Sequence, residues 1–312
     1  MSTTRVGIVG AGGIAPPHIE GWLALGCEVS ILRRTDAEAL ADRYGIRVID
    51  TLDDLLDAAD IVDIISPTRT HLDIARAACA RGKHVVCEKP LAVTAAEASA
   101  LAQQAVDAGV RLFPAHVVRY FAGYHDLHER IGTIGTLAEL TFRRTVAAPE
   151  SAWFYSQDAG GGIIRDLMIH DLDQALWLAG PVVEVSATQD PPATGDTVQP
   201  PVSAHVTLTH ANGATSHVQG DWFGPDTPFR SVAEVAGSDG ILRFDTAESA
   251  GQRDGYLPPT DDVDPYQAQL ADFLEAIRTG GSARVTPADG VAAVALVDAA
   301  YESLREGRPV VP

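Results

Sequence analysis

The stretch Val6-Gly7-Ile8-Val9-Gly10-Ala11-Gly12-Gly13-Ile14-Ala15 decides the fold. Val6 to Val9 is a short apolar run that reads as a buried strand, and a glycine-rich turn follows it directly. A strand that runs into Gly-x-Gly-x-x-Ala and then a helix is the arrangement that cradles a dinucleotide's pyrophosphate. Gly10 permits the tight turn, and Gly12 lets the backbone approach phosphate. The amides of Gly12, Gly13 and Ile14 open the helix and can donate to phosphate oxygens. Ala15 is small where helix and strand must pack closely. Pro16 and Pro17 lack amide hydrogens, so the donors must precede them. The alternative is a purely structural glycine turn; the flanking strand and helix favour the binding site.

Working outward, residues up to about Pro114 alternate short apolar strands with Ala-rich helical segments. Arg5–Val9, Glu28–Leu32, Arg47–Ile49, Ile61–Ile65, His84–Cys87 and Arg111–Phe113 read as strands. Such strands suit a parallel sheet covered on both faces, the doubly wound α/β pattern. After about Tyr120 the pattern changes. Helical segments Tyr124–Ile131 and Ile163–Leu178 flank a long strand, Leu137–Val146. Five strand signals then follow in succession, with Asn212-Gly213 and Asp239-Gly240 as hairpin turns. Two helices, Tyr266–Thr279 and Ala288–Arg305, end the chain. The expectation is a dinucleotide-binding domain over 1–119 and an α+β domain with a mainly antiparallel sheet over 120–312.

Several residues can carry chemistry. The second strand ends in Arg33-Arg34-Thr35, without the acid that usually meets the adenine ribose of NAD. Paired guanidiniums suit a 2′-phosphate instead, which predicts NADP with NAD as the alternative. Ser66-Pro67-Thr68 follows the fourth strand and should lie at the cofactor edge. His71, just beyond, either touches cofactor or simply packs. Glu88-Lys89-Pro90 ends the fifth strand, at the edge where such ligands bind. Lys89 there can hold or shuttle a proton beside a hydroxyl that loses hydride. A surface lysine before a proline is the plainer alternative.

The third element is Gly160-Gly161-Gly162-Ile163-Ile164-Arg165-Asp166-Leu167-Met168-Ile169-His170-Asp171-Leu172-Asp173. In a helix, Asp166 and His170 share a face one turn apart, and a carboxylate beside a histidine can orient it and support its charged form. The alternatives are a buried, satisfied histidine or a metal site of Asp166, His170 and Asp173. No further Cys/His cluster supports the metal. The glycine triplet predicts a flexible lead-in able to close over substrate. Tyr120, Trp153 and Arg165 are candidate substrate contacts, although an aromatic here serves a core equally well.

The bulk numbers exclude other classes. With 42 acidic against 23 basic residues and a net charge of -19, a nucleic-acid or anionic-membrane partner is disfavoured. Three scattered cysteines make no disulfide framework and suggest a reducing compartment. No signal peptide or spanning segment is visible, so the expectation is a cytoplasmic protein.

Taken together, these motifs resemble the Gfo/Idh/MocA oxidoreductase family. The resemblance rests on the Gly10 turn with His18 after it, Ser66-Pro67-Thr68 through His71, and Gly82 through Leu91 with its Glu88-Lys89-Pro90. It continues through Gly135, the Gly160–Gly180 region, Ala236 to Gly240, and the ending Tyr301 to Val310. It implies a Rossmann domain plus a domain with a large open-faced sheet, often paired into homodimers or homotetramers. It also implies that Lys89, Asp166 and His170 surround a substrate hydroxyl near the nicotinamide, and that the substrate is a sugar, polyol or derivative. Rival activities within it are transient oxidation by tightly held NAD during glycoside cleavage, and a non-catalytic cofactor sensor. Ala15, Arg33 and Gln269 depart from the common pattern.

Overall fold

A computed structural model describes residues 3–157, 159–247 and 264–312. The chain forms two compact units. One holds the chain up to Tyr120 with residues 264–291; the other holds the remaining described residues.

The first unit contains β1 (Arg5–Val9), α1 (Ala15–Ala24), β2 (Glu28–Leu32), α2 (Ala37–Tyr44), β3 (Arg47–Ile49), α3 (Leu52–Ala58), β4 (Ile61–Ile64), α4 (His71–Ala80), β5 (His84–Glu88), α5 (Ala95–Asp107) and β6 (Leu112–Ala115). Its strands form one sheet in the order β3-β2-β1-β4-β5-β6, all parallel. The strands are short and apolar because helices cover both faces; Ile8, Ile31, Ile61, Ile64, Val85 and Val86 are fully buried. The order reverses between β1 and β4. Ligands of such sheets bind beyond the strand carboxyl ends at that point. Gly10, Ser66 and Lys89 follow β1, β4 and β5 at this edge.

The second unit contains α6 (Ala122–Arg130), β7 (Leu137–Ala147), α7 (Ile169–Ala179), β8 (Val182–Asp190), β9 (Val202–His210), β10 (Thr215–Phe223), β11 (Arg230–Gly237) and β12 (Gly240–Asp245). The sheet runs β12-β11-β7-β10-β9-β8. Only the central β7/β10 pair is parallel; the other pairings are antiparallel. In β9 the alternation is strict. Val202, Ala204, Val206 and Leu208 are buried, while Ser203, His205, Thr207 and Thr209 face the other side. Helix α7 covers the buried face.

Two further helices complete the described chain, α8 (Pro265–Thr279) and α9 (Pro287–Glu306). The units do not divide at a single cut near residue 120, as the order of sequence signals suggested. Helix α8 belongs to the first unit, because Leu270, Phe273 and Leu274 enter its core. The approach to α1 is close: a β-carbon on Gly21 would lie 2.9 Å from Leu270 Cδ1. No described helix is long and apolar enough to cross a membrane.

Candidate active site

The glycine turn meets the needs of a pyrophosphate. Gly10 has φ +134°, and a β-carbon there would stand 2.6 Å from the Ile65 carbonyl oxygen, so only glycine fits. A β-carbon on Gly12 or Gly13 would meet nothing within 4 Å. Helix α1 begins with no side-chain cap and no acid in its first turn. The Ala15 amide is spent on the Gly12 carbonyl, and Pro16 and Pro17 have none. The amides of Gly12, Gly13 and Ile14 precede them at the positive helix end, where backbone donors can meet an anion. This open, donor-rich turn fits a dinucleotide.

At the end of β2 the arginine pair is solvent-exposed, but Arg33 is already engaged. Its guanidinium contacts the carboxylates of Glu38 and Asp50, which raise its pKa. Arg34 donates to the Arg33 carbonyl oxygen. Any 2′-phosphate at this edge would compete with Glu38 and Asp50 for Arg33.

Glu88-Lys89-Pro90 is braced from two sides. The Glu88 carboxylate accepts the Lys89 amide at 3.0 Å. Its other oxygen lies 3.3 Å from His18 Nε2. The opposite nitrogen of His18 lies 2.8 Å from Asp63 Oδ2, which also accepts the Trp22 indole at 2.7 Å. Burial alone would lower the His18 pKa, but Asp63 and Glu88 outweigh it and raise it to about 10. The imidazolium in turn holds Glu88 below the usual carboxylate range against the opposing effect of burial. On the other side His71, 1% exposed, places Nδ1 2.9 Å from the Pro90 carbonyl oxygen and Nε2 2.7 Å from that of Ser66. His71 thus links the two loops. Ser66 Oγ pairs with Thr70 at 2.6 Å, and Thr68 is buried in the turn after Pro67.

In the second unit the expected regular helix over Ile163–Leu178 is interrupted. Ile164–Met168 forms a π-helical turn and α7 follows from Ile169. Asp166 and His170 stand four residues apart across that junction. Between residues 160 and 175, Asp166 alone is not buried. His170 is 3% exposed. The start of α7 is clamped to the sheet through the next residue. Arg144 on β7 donates to both Asp171 oxygens at 2.8 Å, and Tyr124 donates to Oδ1 at 3.2 Å. Removing one partner of such a buried pair costs about 3–5 kcal/mol. π-turns inside helices recur at functional sites.

The glycine triplet, expected as a flexible lead-in, is closely packed at its second and third positions. Gly161 and Gly162 are buried, and a β-carbon on Gly161 would sit 2.4 Å from the Phe154 carbonyl oxygen. On Gly162, at φ +93°, it would sit 2.2 Å from Tyr301 Oη. Arg165 is spent on this packing too. It donates to the carbonyls of Gln157 and Gly161 at 3.1 and 3.3 Å, and its guanidinium lies over the Tyr301 ring. Tyr120 is buried with its hydroxyl on Asp272 at 2.6 Å. Trp153 is half-buried and stacks on Phe154. Gln269 is fully buried in α8. Among the described residues no group of three or more His, Cys, Asp or Glu is arranged to hold a metal ion.

Sequence reasoning assigned no role to Asp63, Trp22, Arg144 or Asp171. The signal was available for two of them. An aspartate within Ile61-Val62-Asp63-Ile64, and an arginine at an inward position of β7, must each find a buried partner.

A doubly wound sheet with an open glycine turn, followed by a second unit that carries a carboxylate and a histidine across a π-turn and the helix after it, is the arrangement of a dinucleotide-dependent oxidoreductase. Residues 4–116 match the oxidoreductase family described by its NAD-binding Rossmann fold, and residues 129–243 match the GFO/IDH/MocA C-terminal domain. The chain is 31% identical over 297 residues to D-xylose 1-dehydrogenase (NADP(+)) 2 of Haloferax volcanii, a match that covers 88% of each chain. It is 29% identical to inositol 2-dehydrogenase of Rhizobium meliloti, over 99% of each. Among solved structures, GenD2 from gentamicin A biosynthesis in complex with NAD superposes with a TM-score of 0.90 at 26% identity, covering 100% of this chain and 97% of that one. The chain belongs to the Gfo/Idh/MocA family of NAD(P)-dependent oxidoreductases, enzymes that act on CH–OH groups.

Proposed function

We propose that this enzyme is an NADP-preferring dehydrogenase acting on a secondary alcohol, or the matching ketone, of a sugar or cyclitol. The observation that carries this reading is Lys89, held on a braced turn at the same sheet edge as the open glycine turn. The names of the xylose and inositol dehydrogenase relatives support the substrate class. The NADP preference is supported by the exposed Arg33-Arg34 pair and by the NADP(+)-named relative.

The nicotinamide, when bound, accepts or returns the hydride. In the oxidative direction His170 takes the hydroxyl proton and Asp166 orients the imidazole. Lys89 holds the same oxygen and shares the proton. The amides of Gly12, Gly13 and Ile14 hold the pyrophosphate, and Arg33 and Arg34 meet the 2′-phosphate. Ser66, Pro67, Thr68 and Glu88 shape the cofactor edge. The enzyme pairs with copies of itself through the open face of the second sheet, which carries His205, Thr207 and Thr209. The three buried free cysteines suit a reducing, cytoplasmic setting. The test is a screen for cofactor reduction over sugars, cyclitols and sugar acids with NAD and with NADP. Turnover of polyols with NADP favoured is the expected result. Absence of net turnover with purified cofactor still bound would favour transient oxidation during glycoside cleavage instead.

A further inference from the structure

Three ionisable side chains from three different elements of the first unit meet around one imidazole. His18 comes from α1, Asp63 from β4 and Glu88 from β5. His18 and Asp63 are 0% exposed, and the Glu88 side chain is 11% exposed. A chain gains nothing in packing from such a cluster, since burying charge is costly unless the charges answer one another. The cluster ends at a single place: the Glu88 oxygen that His18 does not approach accepts the amide of Lys89. The fourth neighbour, the Trp22 indole, donates to Asp63 and so holds the far end of the chain of contacts.

We propose that His18, anchored by Asp63, is a positioning residue for Lys89, acting through Glu88 on both the place of the lysine and the charge beside it. This rests on the reading of Lys89 as a catalytic residue. Two consequences follow from charge alone. With His18 as a cation, one positive charge answers the two carboxylates. Removing the imidazolium leaves more negative charge beside Lys89 and favours its ammonium form. Neutralising Glu88 leaves His18 and Asp63 balanced and favours the neutral amine. The other groups that face the cluster are Cys87 on β5, Tyr266 on α8 and His71 on α4. All three are unchanged in either variant, so they do not alter the sign.

The test compares His18→Gln, Glu88→Gln and Lys89→Met, alone and combined, by kcat against pH, NADP dissociation constant and thermal stability. Glu88→Gln keeps the His18–Asp63 pair and supplies the test if His18→Gln does not fold. The expected result is a kcat loss of about 10- to 100-fold in each of the first two variants, the scale of a misplaced reacting group. The limb of the pH profile that Lys89→Met removes moves to higher pH in His18→Gln and to lower pH in Glu88→Gln. Neither substitution lowers kcat further in the Lys89→Met background. A purely structural role lowers thermal stability and leaves that limb where it was; this outcome overturns the proposal. So do equal losses with and without Lys89. If Lys89→Met itself keeps wild-type kcat, the catalytic reading of Lys89 falls, and the positioning role falls with it. That result is distinct from failure of His18 or Glu88 alone.

Discussion

The two units present their candidate chemistry in opposite ways. In the first, it hangs on turns beyond strand ends, where no periodic hydrogen bonding holds the backbone. Those turns are braced by buried side chains that can titrate: His18 on Glu88, and His71 on Pro90 and Ser66. In the second, Asp166 and His170 ride on a π-turn and helix that hold themselves. There the bracing locks the helix to the sheet, and its cation is an arginine, Arg144 on Asp171. An arginine stays charged at any working pH, whereas His18, raised to about 10, gives up its charge on the alkaline side. One brace should therefore respond to pH and the other should not.

The largest expected effects are catalytic. Lys89→Met in the first unit and His170→Asn in the second should each lower kcat by about 100- to 10,000-fold while NADP still binds. Asp166→Asn added to His170→Asn should cost little more, since the carboxylate acts through the imidazole. Steady-state kinetics with a cofactor-binding titration decide this. Near-normal kcat in folded Lys89→Met would leave the second unit alone with the proton chemistry.

Next come the braces themselves. Arg144→Met and His18→Gln should each destabilise the protein by about 3–5 kcal/mol near neutrality, because each leaves buried carboxylate unanswered. Their pH dependence should differ. The His18 pKa is raised from 6.5 to about 10 on folding, so its contribution is complete below about pH 6.5 and is lost as pH rises through about 10. The gap in Tm between wild type and His18→Gln should therefore narrow on the alkaline side, while the Arg144→Met gap persists. Parallel gaps across that range would erase the contrast between the two braces.

Cofactor choice is a smaller effect. Arg33→Asp with Arg34→Ser should shift the NADP/NAD ratio of kcat/KM toward NAD, at about 1.5–3 kcal/mol per lost charge-assisted hydrogen bond. Glu38→Gln should move the ratio the other way, since Glu38 competes for Arg33. An unchanged ratio in both variants would make the arginines mere surface charges.

The two glycine clusters separate most finely. Gly162→Ala should cost about 1–3 kcal/mol of stability, because it combines a left-handed φ with a collision on Tyr301. Gly12→Ala should leave Tm almost unchanged and weaken cofactor binding, because its β-carbon enters space that only a ligand fills. Melting curves with and without NADP read both.

The first unit is largely legible in its sequence. Its strands are local apolar runs, its turns are marked by glycine, and a parallel sheet wound through right-handed crossovers leaves few alternatives. The strands, the glycine turn and the strand-end placement of Lys89 all follow from signals a few residues long, whereas the order β3-β2-β1-β4-β5-β6 is seen only in the assembled sheet. In the second unit the same kind of signal located the strands and the Asp166–His170 helix. It does not show the packing of the glycine triplet, because nothing local announces that Phe154 and Tyr301 close over Gly161 and Gly162. The π-turn and the commitment of Arg165 to backbone carbonyls were hidden for the same reason. Helix α8 shows the limit most simply. Its amphipathic stripe declares that Leu270 and Phe273 must be buried, but burial is non-directional, and only the assembled fold decides that α1 provides the surface. The pairings His18–Asp63 and Arg144–Asp171 bridge 45 and 27 residues of chain. Periodicity reads which residues turn inward. It carries no record of which inward charge will meet which, and that is settled by tertiary packing alone.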